Sequence, residues 1–157
     1  MRKRSKYRPK PQYANPLAYV LESVKPLAEH DSYVLDWKLK ADAAFGAMLR
    51  AQATSKDMDT LVAARNIVEA LLVILKGVDV DGTLPRSQCA LIEICERANA
   101  GKGTATKAPE LQAIRDLMML HDELLDVVTV TQFEKALAYA KKHISAGKAR
   151  AIKPIPA

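Results

Sequence analysis

One stretch constrains the fold of this chain more than any other: residues 57–76, DMDTLVAARNIVEALLVILK. It is the most apolar part of the sequence, and a single acid interrupts the run at 67–75. A surface helix shows one apolar stripe, whereas a helix that is apolar nearly all round is buried on several sides. Thr54 and Ser55 mark its start and Gly77 marks its end. We therefore expect it to be the central helix of an all-helical domain.

Size and composition fit one such domain. The chain has 157 residues, enough for a core that needs neither a metal nor a disulfide. Hydrophobic residues make up 49% of it but aromatic residues only 5%, so small and aliphatic side chains supply the core, which suits helix packing. Cys89 and Cys95 point to different sides of one predicted helix and cannot bridge each other there. We expect two buried, reduced thiols.

Apolar periodicity and capping signals predict an all-α chain, a mostly antiparallel bundle of about five to six helices. The predicted helices cover residues 16–24, 31–53, 57–76, 86–99, 108–128 and 131–147. The bundle domain spans residues 15–147, between a flexible or extended arm at 1–14 and an extended tail at 148–157. No stretch is a convincing strand, and residues 72–80 are the one place where a strand could lie.

For the last two predicted helices, the sequence pattern indicates which side chains face inward. The helix that begins near Pro109 has the best apolar stripe, at i, i+3, i+4 and i+7 spacing: Leu111, Ile114, Leu117, Met118, His121, Leu124, Leu125 and Val128. Thr131 and Glu134 match a capping box for the last helix. The inward residues of that helix are then Phe133, Leu137, Ala140 and Ile144.

Charge is distributed unevenly along the chain. Residues 1–14 carry six Lys and Arg and no acid, and residues 141–157 carry five and no acid. These ends hold 11 of the 24 basic residues, which leaves 13 against 18 acids elsewhere, a net charge of −5. The sequence therefore describes an acidic body with two basic ends, although the total net charge is +6.

The basic arm is the feature that says most about function. Its six cations are interleaved with Tyr7 and Tyr13, and Pro9 and Pro11 keep it extended, which suits phosphate neutralisation combined with base stacking. Cations near the C-terminus, with His143 beside them, would bind the phosphates of the same nucleic acid. The predicted nucleic-acid-binding residues are Arg2, Lys3, Arg4, Lys6, Tyr7, Arg8, Lys10, Tyr13, Lys141, Lys142, Lys148 and Arg150. Other roles of the arm stay open: it could dock on an acidic protein or on the chain's own acidic body, or simply be solvated.

Residues 2–9, RKRSKYRP, followed by a helical body, resemble a group of small proteins from proteobacterial phages and prophages. The likeness is strongest over the arm and residues 15–36. The group has no assigned activity or functional residues, so the resemblance implies no particular site. It implies a phage or mobile-element context, in which small proteins often bind nucleic acid or block host factors.

Residues 78–84, VDVDGTL, resemble the first motif of haloacid-dehalogenase-type phosphatases, which places Asp79 as nucleophile and Asp81 as acid/base. That family carries the motif at the end of a strand near the start of a Rossmann-like domain, with a later lysine and a pair of Asp residues that help bind phosphate and Mg²⁺. Here the motif follows a segment of helical period, and only helical patterns come after it. An Asp-Gly turn between helices, with Asp81 or Thr83 as the next N-cap, fits this context better.

Two further features have plain interpretations. Residues 101–104, GKGT, lack the upstream glycine of a phosphate loop and the Ser or Thr after its Lys, so we interpret them as a flexible loop between helices. His121 lies on the apolar stripe, but no Glu-x-x-His pairs accompany it as a di-metal site would require. We interpret it as a histidine at the edge of the core with one hydrogen-bond partner. No catalytic residue, metal site or cofactor is predicted.

The sequence also argues against membrane association. No apolar core follows the basic N-terminus, and the longest apolar run is about half of a bilayer span. We expect a cytoplasmic, non-enzymatic accessory protein of phage or mobile-element type that binds nucleic acid through its basic ends. The alternative is a protein-interaction module or an inhibitor of a host factor, which could be a homo-oligomer and would use the acidic surface of the bundle.

Overall fold

Five α-helices form the part of the chain that the structure, a computed structural model, describes: residues 24–27 and 31–145. The helices are α1 (Asp31–Leu49), α2 (Ser55–Leu75), α3 (Thr83–Asn99), α4 (Ala108–Val127) and α5 (Val130–Ser145). No β-strand occurs among these residues, so the predicted all-α class is confirmed. The arm at 1–14, the tail at 148–157 and nearly all of the predicted helix at 16–24 lie outside the described residues.

Capping residues delimit the central helix α2 at both ends. The Asp57 amide donates to the Thr54 hydroxyl (3.4 Å) and the Thr54 amide donates to the Asp57 carboxylate (2.8 Å), which completes a capping box. Hydrogen bonds from the Thr54 hydroxyl and amide lower the pKa of Asp57. At the other end Lys76 is left-handed (φ 53°), and the Gly77 amide donates to the Leu72 carbonyl oxygen (2.8 Å). The predicted start and end are confirmed.

α2 packs against each of the other four helices, which explains why its sequence is apolar on several sides. Its first half, with Leu61 and Ala64, joins α1, α3 and the first half of α4 in one hydrophobic cluster. Its second half, with Val68 and Leu71, joins the start of α1, the end of α4 and α5 in another. The predicted central role of this helix is therefore confirmed.

α1 ends at Leu49, short of the predicted end near Ala53. The chain leaves the helix through Ala51, whose φ of 55° is left-handed. The Gln52 amide then donates to the Ala47 carbonyl oxygen (2.9 Å), which is the closure of a Schellman motif. Because this motif usually uses glycine at the left-handed position, the sequence carries no signal for the early end.

α1 is apolar on two sides. Its inner side packs on α2 and α4, where Ala41 and Met48 are buried. Its outer side carries Leu35, Leu39 and Leu49, which we call the outer leucine row and which are 53%, 56% and 50% exposed. Within the described residues this row has no helix packed over it, in contrast to the inner side.

α5 begins at Val130, earlier along the chain than its predicted capping box allows. The Thr129 amide donates to the Gln132 side-chain oxygen (2.8 Å), and the Gln132 amide donates to the Thr129 hydroxyl (3.3 Å). These two residues form the capping box of α5. The prediction that Thr131 and Glu134 form it is wrong, because both lie inside the helix.

Packing of α5 is extensive only against α2. Phe133 and Ala136 are buried in that contact, and Leu137 and Ala140 are half-buried. Ile144 is 55% exposed, so the prediction that it faces inward is wrong. The buried residues of α5, Phe133 and Ala136, lie in its first half, and its last turn buries none.

Residues 24–27 pair with the junction between α4 and α5. Pro26 and Thr129 form an isolated antiparallel bridge, and the Leu27 amide donates to the Val128 carbonyl oxygen (2.7 Å). Leu27 and Val128 are both buried. We call this pairing the N-terminal clasp. It fixes where the preceding chain meets the bundle, at the C-terminal end of α4.

The two cysteines differ in their surroundings. Both are free thiols, but Cys95 is buried whereas Cys89 is exposed, so the prediction of two buried thiols is wrong for Cys89. Burial raises the pKa of the Cys95 thiol. Among the helices of the described residues, none has the length and apolar character needed to cross a bilayer.

Candidate functional site

The described part of the predicted nucleic-acid site lies on α5. Lys141 and Lys142 are both exposed near its C-terminal end. The other predicted residues lie outside the described part of the chain: Arg2, Lys3, Arg4, Lys6, Tyr7, Arg8, Lys10, Tyr13, Lys148 and Arg150. The structure therefore brings together two of the predicted cations and places them at the point where α5 leads into the basic tail.

Two further side chains share this surface of α5. Lys135, Tyr139 and Lys142 follow i, i+4, i+7 spacing and so lie on one face of the helix. The rings of Tyr139 and His143 are in contact, with their centroids 4.2 Å apart and their planes tilted by 31°. Lys141 projects about 100° away around the axis. We call Lys135, Tyr139, Lys142 and His143 the basic face of α5.

The charges of this surface are not neutralised within the described residues. None of Lys135, Lys141 and Lys142 forms an ion pair there. The one acid of α5, Glu134, lies in the first half of the helix. Because no acid in the described residues pairs with Lys135, Lys141 or Lys142, their charges are available to an anionic ligand.

Lys135 and Tyr139 are candidate residues that sequence reasoning missed. Each lies within the predicted bundle, where basic and acidic residues are mixed, and neither belongs to an obvious charge run. Only the helical phase connects them with Lys142. The signal was present as i, i+4, i+7 spacing on the polar side of α5.

The turn between α2 and α3 is closed by the Asp79 carboxylate. One of its oxygens accepts a hydrogen bond from the Thr83 amide (2.8 Å), and the other accepts one from the Leu84 amide (2.9 Å). The N-cap position is Gly82, which has a left-handed φ of 64° and no side chain to act as acceptor. The predicted cap, Asp81 or Thr83, is therefore wrong, and α3 begins slightly earlier than predicted.

The phosphatase-like motif forms a turn between helices, as its context predicted. It follows α2 rather than a strand, and main-chain amides hold both oxygens of Asp79, the residue in the nucleophile position. Asp81, in the acid/base position, is exposed. Within the described residues, no group of three or more His, Cys, Asp or Glu side chains could hold a metal ion.

A groove of about 790 Å³ lies between this turn and α4. We call it the acidic groove. Its exposed apolar side chains are Val78, Val80 and Met119, with exposures of 78%, 85% and 57%. Leu72 and Leu120 also line it and are half-buried. The groove therefore has a substantial apolar lining that is open to solvent.

The charged side chains of the groove are Asp79, Asp81, Asp116, Glu123 and Arg86, which sum to −3. Asp79 caps α3, and Asp116 accepts from Arg86 at 3.1 Å. Asp81 and Glu123 have no hydrogen-bond or ion-pair partner within the described chain. Two unpaired carboxylates thus lie beside the exposed apolar side chains.

His121 is the one fully buried histidine among the described residues. Its Nδ1 lies 3.1 Å from the Asp122 carboxylate, while its buried Nε2 has no partner in the described part of the chain. Burial lowers the pKa of His121, against the opposing effect of Asp122. The prediction of one hydrogen-bond partner is confirmed. The prediction of a place at the edge of the core is wrong, because the side chain is 0% exposed.

The glycine-rich segment after α3 is a loop between helices, as predicted. Gly101 and Gly103 have left-handed φ values of 73° and 75°, which explains why glycine occupies both positions. Lys102 between them is exposed.

No protein family, curated protein or solved structure matches the chain. The resemblance of residues 2–9 to phage and prophage proteins therefore stays a prediction.

Proposed function

We propose that this protein is a non-enzymatic accessory protein, of phage or mobile-element type, that binds nucleic acid through its basic terminal segments. The observation that supports the proposal most directly is the basic face of α5, where lysines with no ion-pair partner in the described residues lie beside the tilted, contacting rings of Tyr139 and His143. Lysines neutralise phosphates, and an aromatic ring offers a surface on which an unpaired base can stack. This combination favours a single-stranded ligand.

The charge distribution supports binding at the ends rather than over the whole surface. Beyond α5 the chain adds Lys148, Arg150 and Lys153 and no acid. The arm at 1–14 adds six cations. The remainder of the chain has a net charge of −5, which repels phosphates and so confines the ligand to the two basic segments.

The test is the salt dependence of binding to a labelled single-stranded oligonucleotide, measured by fluorescence anisotropy between about 50 and 200 mM salt. The variant Lys141→Gln/Lys142→Gln removes two phosphate contacts, so the slope of log K against log salt should become shallower by about 1.4. The matched control, Lys56→Gln/Lys102→Gln, removes two exposed lysines elsewhere and should leave the slope unchanged.

The arm is tested in the full-length chain by changing its six cations to Gln. We expect this variant to bind at least about tenfold more weakly at low salt, because each cation contributes to phosphate neutralisation. Absence of binding by the wild-type protein at low salt would remove the proposal. Equal effects of the α5 variant and its control would show that α5 is not part of the interface.

The alternative, a protein-interaction module or homo-oligomer, has one specific observation in its favour. The outer leucine row of α1 leaves Leu35, Leu39 and Leu49 at least half exposed. Grouped exposed apolar side chains of this kind mark interaction surfaces. Sedimentation velocity tests self-association. A wild-type dimer that Leu39→Lys dissociates would support it, and a wild-type monomer at every concentration would disprove it.

A further inference from the structure

The acidic groove keeps apolar side chains in solvent where the fold gives them no internal partner. Val80 and Val78, at 85% and 78%, are the two most exposed large apolar side chains of the described residues. Met119 faces the same groove from α4 and is 57% exposed. Apolar side chains grouped in a concave surface mark a binding site for another segment of polypeptide or for a ligand.

The charges of the groove select a cationic occupant. Asp81 and Glu123 are unpaired within the described residues, and the net charge of the lining is −3. Phosphates and acidic segments are repelled from such a surface, whereas Lys and Arg side chains are attracted to it. A segment that alternates cations with apolar or aromatic side chains therefore matches both properties of the groove.

One face of α4 leads from the groove to the N-terminal clasp. Met119, Glu123 and Val127 recur at four-residue spacing, so they lie on one side of the helix, and Val127 is 70% exposed. The next residue, Val128, accepts the Leu27 amide of the clasp (2.7 Å). Glu123 lies only about 7.5 Å from Val128 along the helix axis. The chain that precedes the clasp therefore meets the bundle close to the groove.

The N-terminal arm has the composition and the length to reach it. Residues 2–10 carry six cations and no acid, with Tyr7 between them. Residues 9–23 separate the arm's first five cations from the clasp, and a stretch of this length spans between about 22 Å and about 50 Å, at about 1.5 to 3.3 Å per residue. This reach exceeds the separation between the clasp and the groove along α4.

We infer that the acidic groove binds the basic N-terminal arm of the same chain. Arm cations pair with Asp81 and Glu123, and Tyr7 covers the apolar lining that Val78 and Val80 leave open. This docking needs no nucleic acid. Its regulatory consequence does rest on the proposed function: a nucleic acid that binds the arm must first displace it from the groove, which weakens the apparent affinity.

The test places a nitroxide spin label on Ser5→Cys in the full-length chain, with Cys89→Ser so that the exposed thiol does not react. Paramagnetic broadening of amide NMR signals then reports which residues the arm approaches. We expect selective broadening at residues 78–82 and 119–123. The broadening should disappear at about 1 M salt, where the screening length falls to about 3 Å.

The decisive comparison is between two variants with the same change in charge. Asp81→Asn/Glu123→Gln should abolish the selective broadening. Asp59→Asn/Glu96→Gln, which neutralises two exposed carboxylates that lack a partner in the described residues, should retain it. Broadening that persists in the first variant, or a wild-type pattern that avoids the groove, overturns the inference.

Two further measurements separate other occupants from the arm of the same chain. The first mixes spin-labelled chains with isotope-labelled chains that carry no nitroxide: broadening of the groove signals in this mixture assigns the groove to a second copy and overturns the inference. The second places the label on Ala149→Cys. If this label broadens the groove signals and the Ser5→Cys label leaves them sharp, the occupant is the C-terminal tail and the inference is overturned.

Addition of a single-stranded oligonucleotide distinguishes this inference from the proposed function. If both hold, the oligonucleotide reverses the broadening, and Asp81→Asn/Glu123→Gln binds it about threefold to tenfold more tightly than the control variant. Groove broadening that no oligonucleotide affects confirms arm docking while the proposed function fails. Oligonucleotide binding without groove broadening confirms the function and overturns the docking.

Discussion

Arg97 and Glu110 join α3 to the first turn of α4 through a two-point ion pair. Arg97 Nη1 donates to Glu110 Oε1 (2.8 Å) and Nη2 donates to Oε2 (2.6 Å), while the Lys107 amide adds a third hydrogen bond (2.7 Å). The Glu110 side chain is only 5% exposed. The Arg97 guanidinium, with help from the Lys107 amide and against the effect of burial, lowers the pKa of Glu110 to about 2. A buried pair of this kind is costly to break from one side, because the remaining charge keeps no partner.

We expect Glu110→Gln to lower the free energy of unfolding by about 3 kcal/mol, measured by urea titration at neutral pH. Glu96→Gln, an exposed carboxylate on α3, should change it by no more than about 0.5 kcal/mol. The Glu110 pKa is depressed on folding, so its contribution is complete above about pH 4.5 and is lost as the pH falls toward 2. Equal stability of the two variants would contradict the role of the pair.

His121 predicts a second pH effect in a different range. Burial depresses its pKa below the ordinary value of 6.5, so the unfolded chain takes up a proton before the folded chain does. The contribution of neutral His121 to the free energy of unfolding is therefore complete above about pH 6.5 and is lost as the pH drops through the folded-state pKa. His121→Leu removes the titrating group and its unpartnered Nε2, and should flatten the stability profile between about pH 7 and 5.

The control for this profile is His143→Gln, which removes a partly exposed histidine on α5 and should retain the decline. Urea midpoints at several pH values provide the measurement. An unchanged pH profile for His121→Leu would assign the decline to other groups.

Asp79 predicts a capping effect at the start of α3. Its carboxylate accepts two main-chain amides, so Asp79→Ala should lower the free energy of unfolding by about 1–2 kcal/mol. Asp79→Asn retains one acceptor oxygen and should lose less. Asp81→Ala, two positions along the same turn, should stay within about 0.5 kcal/mol of the wild type. Thermal unfolding at neutral pH measures all three, and a larger loss for Asp81→Ala than for Asp79→Ala would contradict the assignment of the cap.

Lys76 predicts a stabilising substitution. It is a non-glycine residue in the left-handed region (φ 53°, ψ 32°) at the C-cap of α2, where glycine carries no Cβ penalty. Lys76→Gly should therefore raise the free energy of unfolding by about 0.5–1 kcal/mol. Lys102→Gly removes an exposed lysine that is not left-handed and should give no gain. A loss of stability in Lys76→Gly would show that the unfolded-state entropy of glycine outweighs the relief of strain.

The start of α5 shows where local sequence information ends. Residues 129–134, TVTQFE, contain two overlapping patterns of Thr followed three positions later by Gln or Glu, and each is an acceptable capping box. Long-range packing decides between them. The N-terminal clasp contacts the buried Val128, and the rings of Phe133 and Trp37 meet nearly perpendicular, with centroids 5.9 Å apart. Because these partners come from the beginning of the chain, no local pattern could contain the answer.

The other elements also divide into those that local sequence predicts and those that only long-range packing creates. α2 was predictable because its apolar character and both of its end signals agree. Lys135 and Tyr139 could have been found from helical phase alone. The acidic groove could not, because Val80 and Met119 come together only when the turn after α2 lies against α4.

The N-terminal clasp also sets an order on biosynthesis. Pro26 and Thr129 are separated by about 100 residues, so the ribosome completes the first partner long before the second. Contacts between α1 and α2, and between α3 and α4, can form while the chain is still growing. The clasp cannot form until Thr129 has left the exit tunnel. Residues 24–27 are therefore anchored to the bundle only after α4 has been translated.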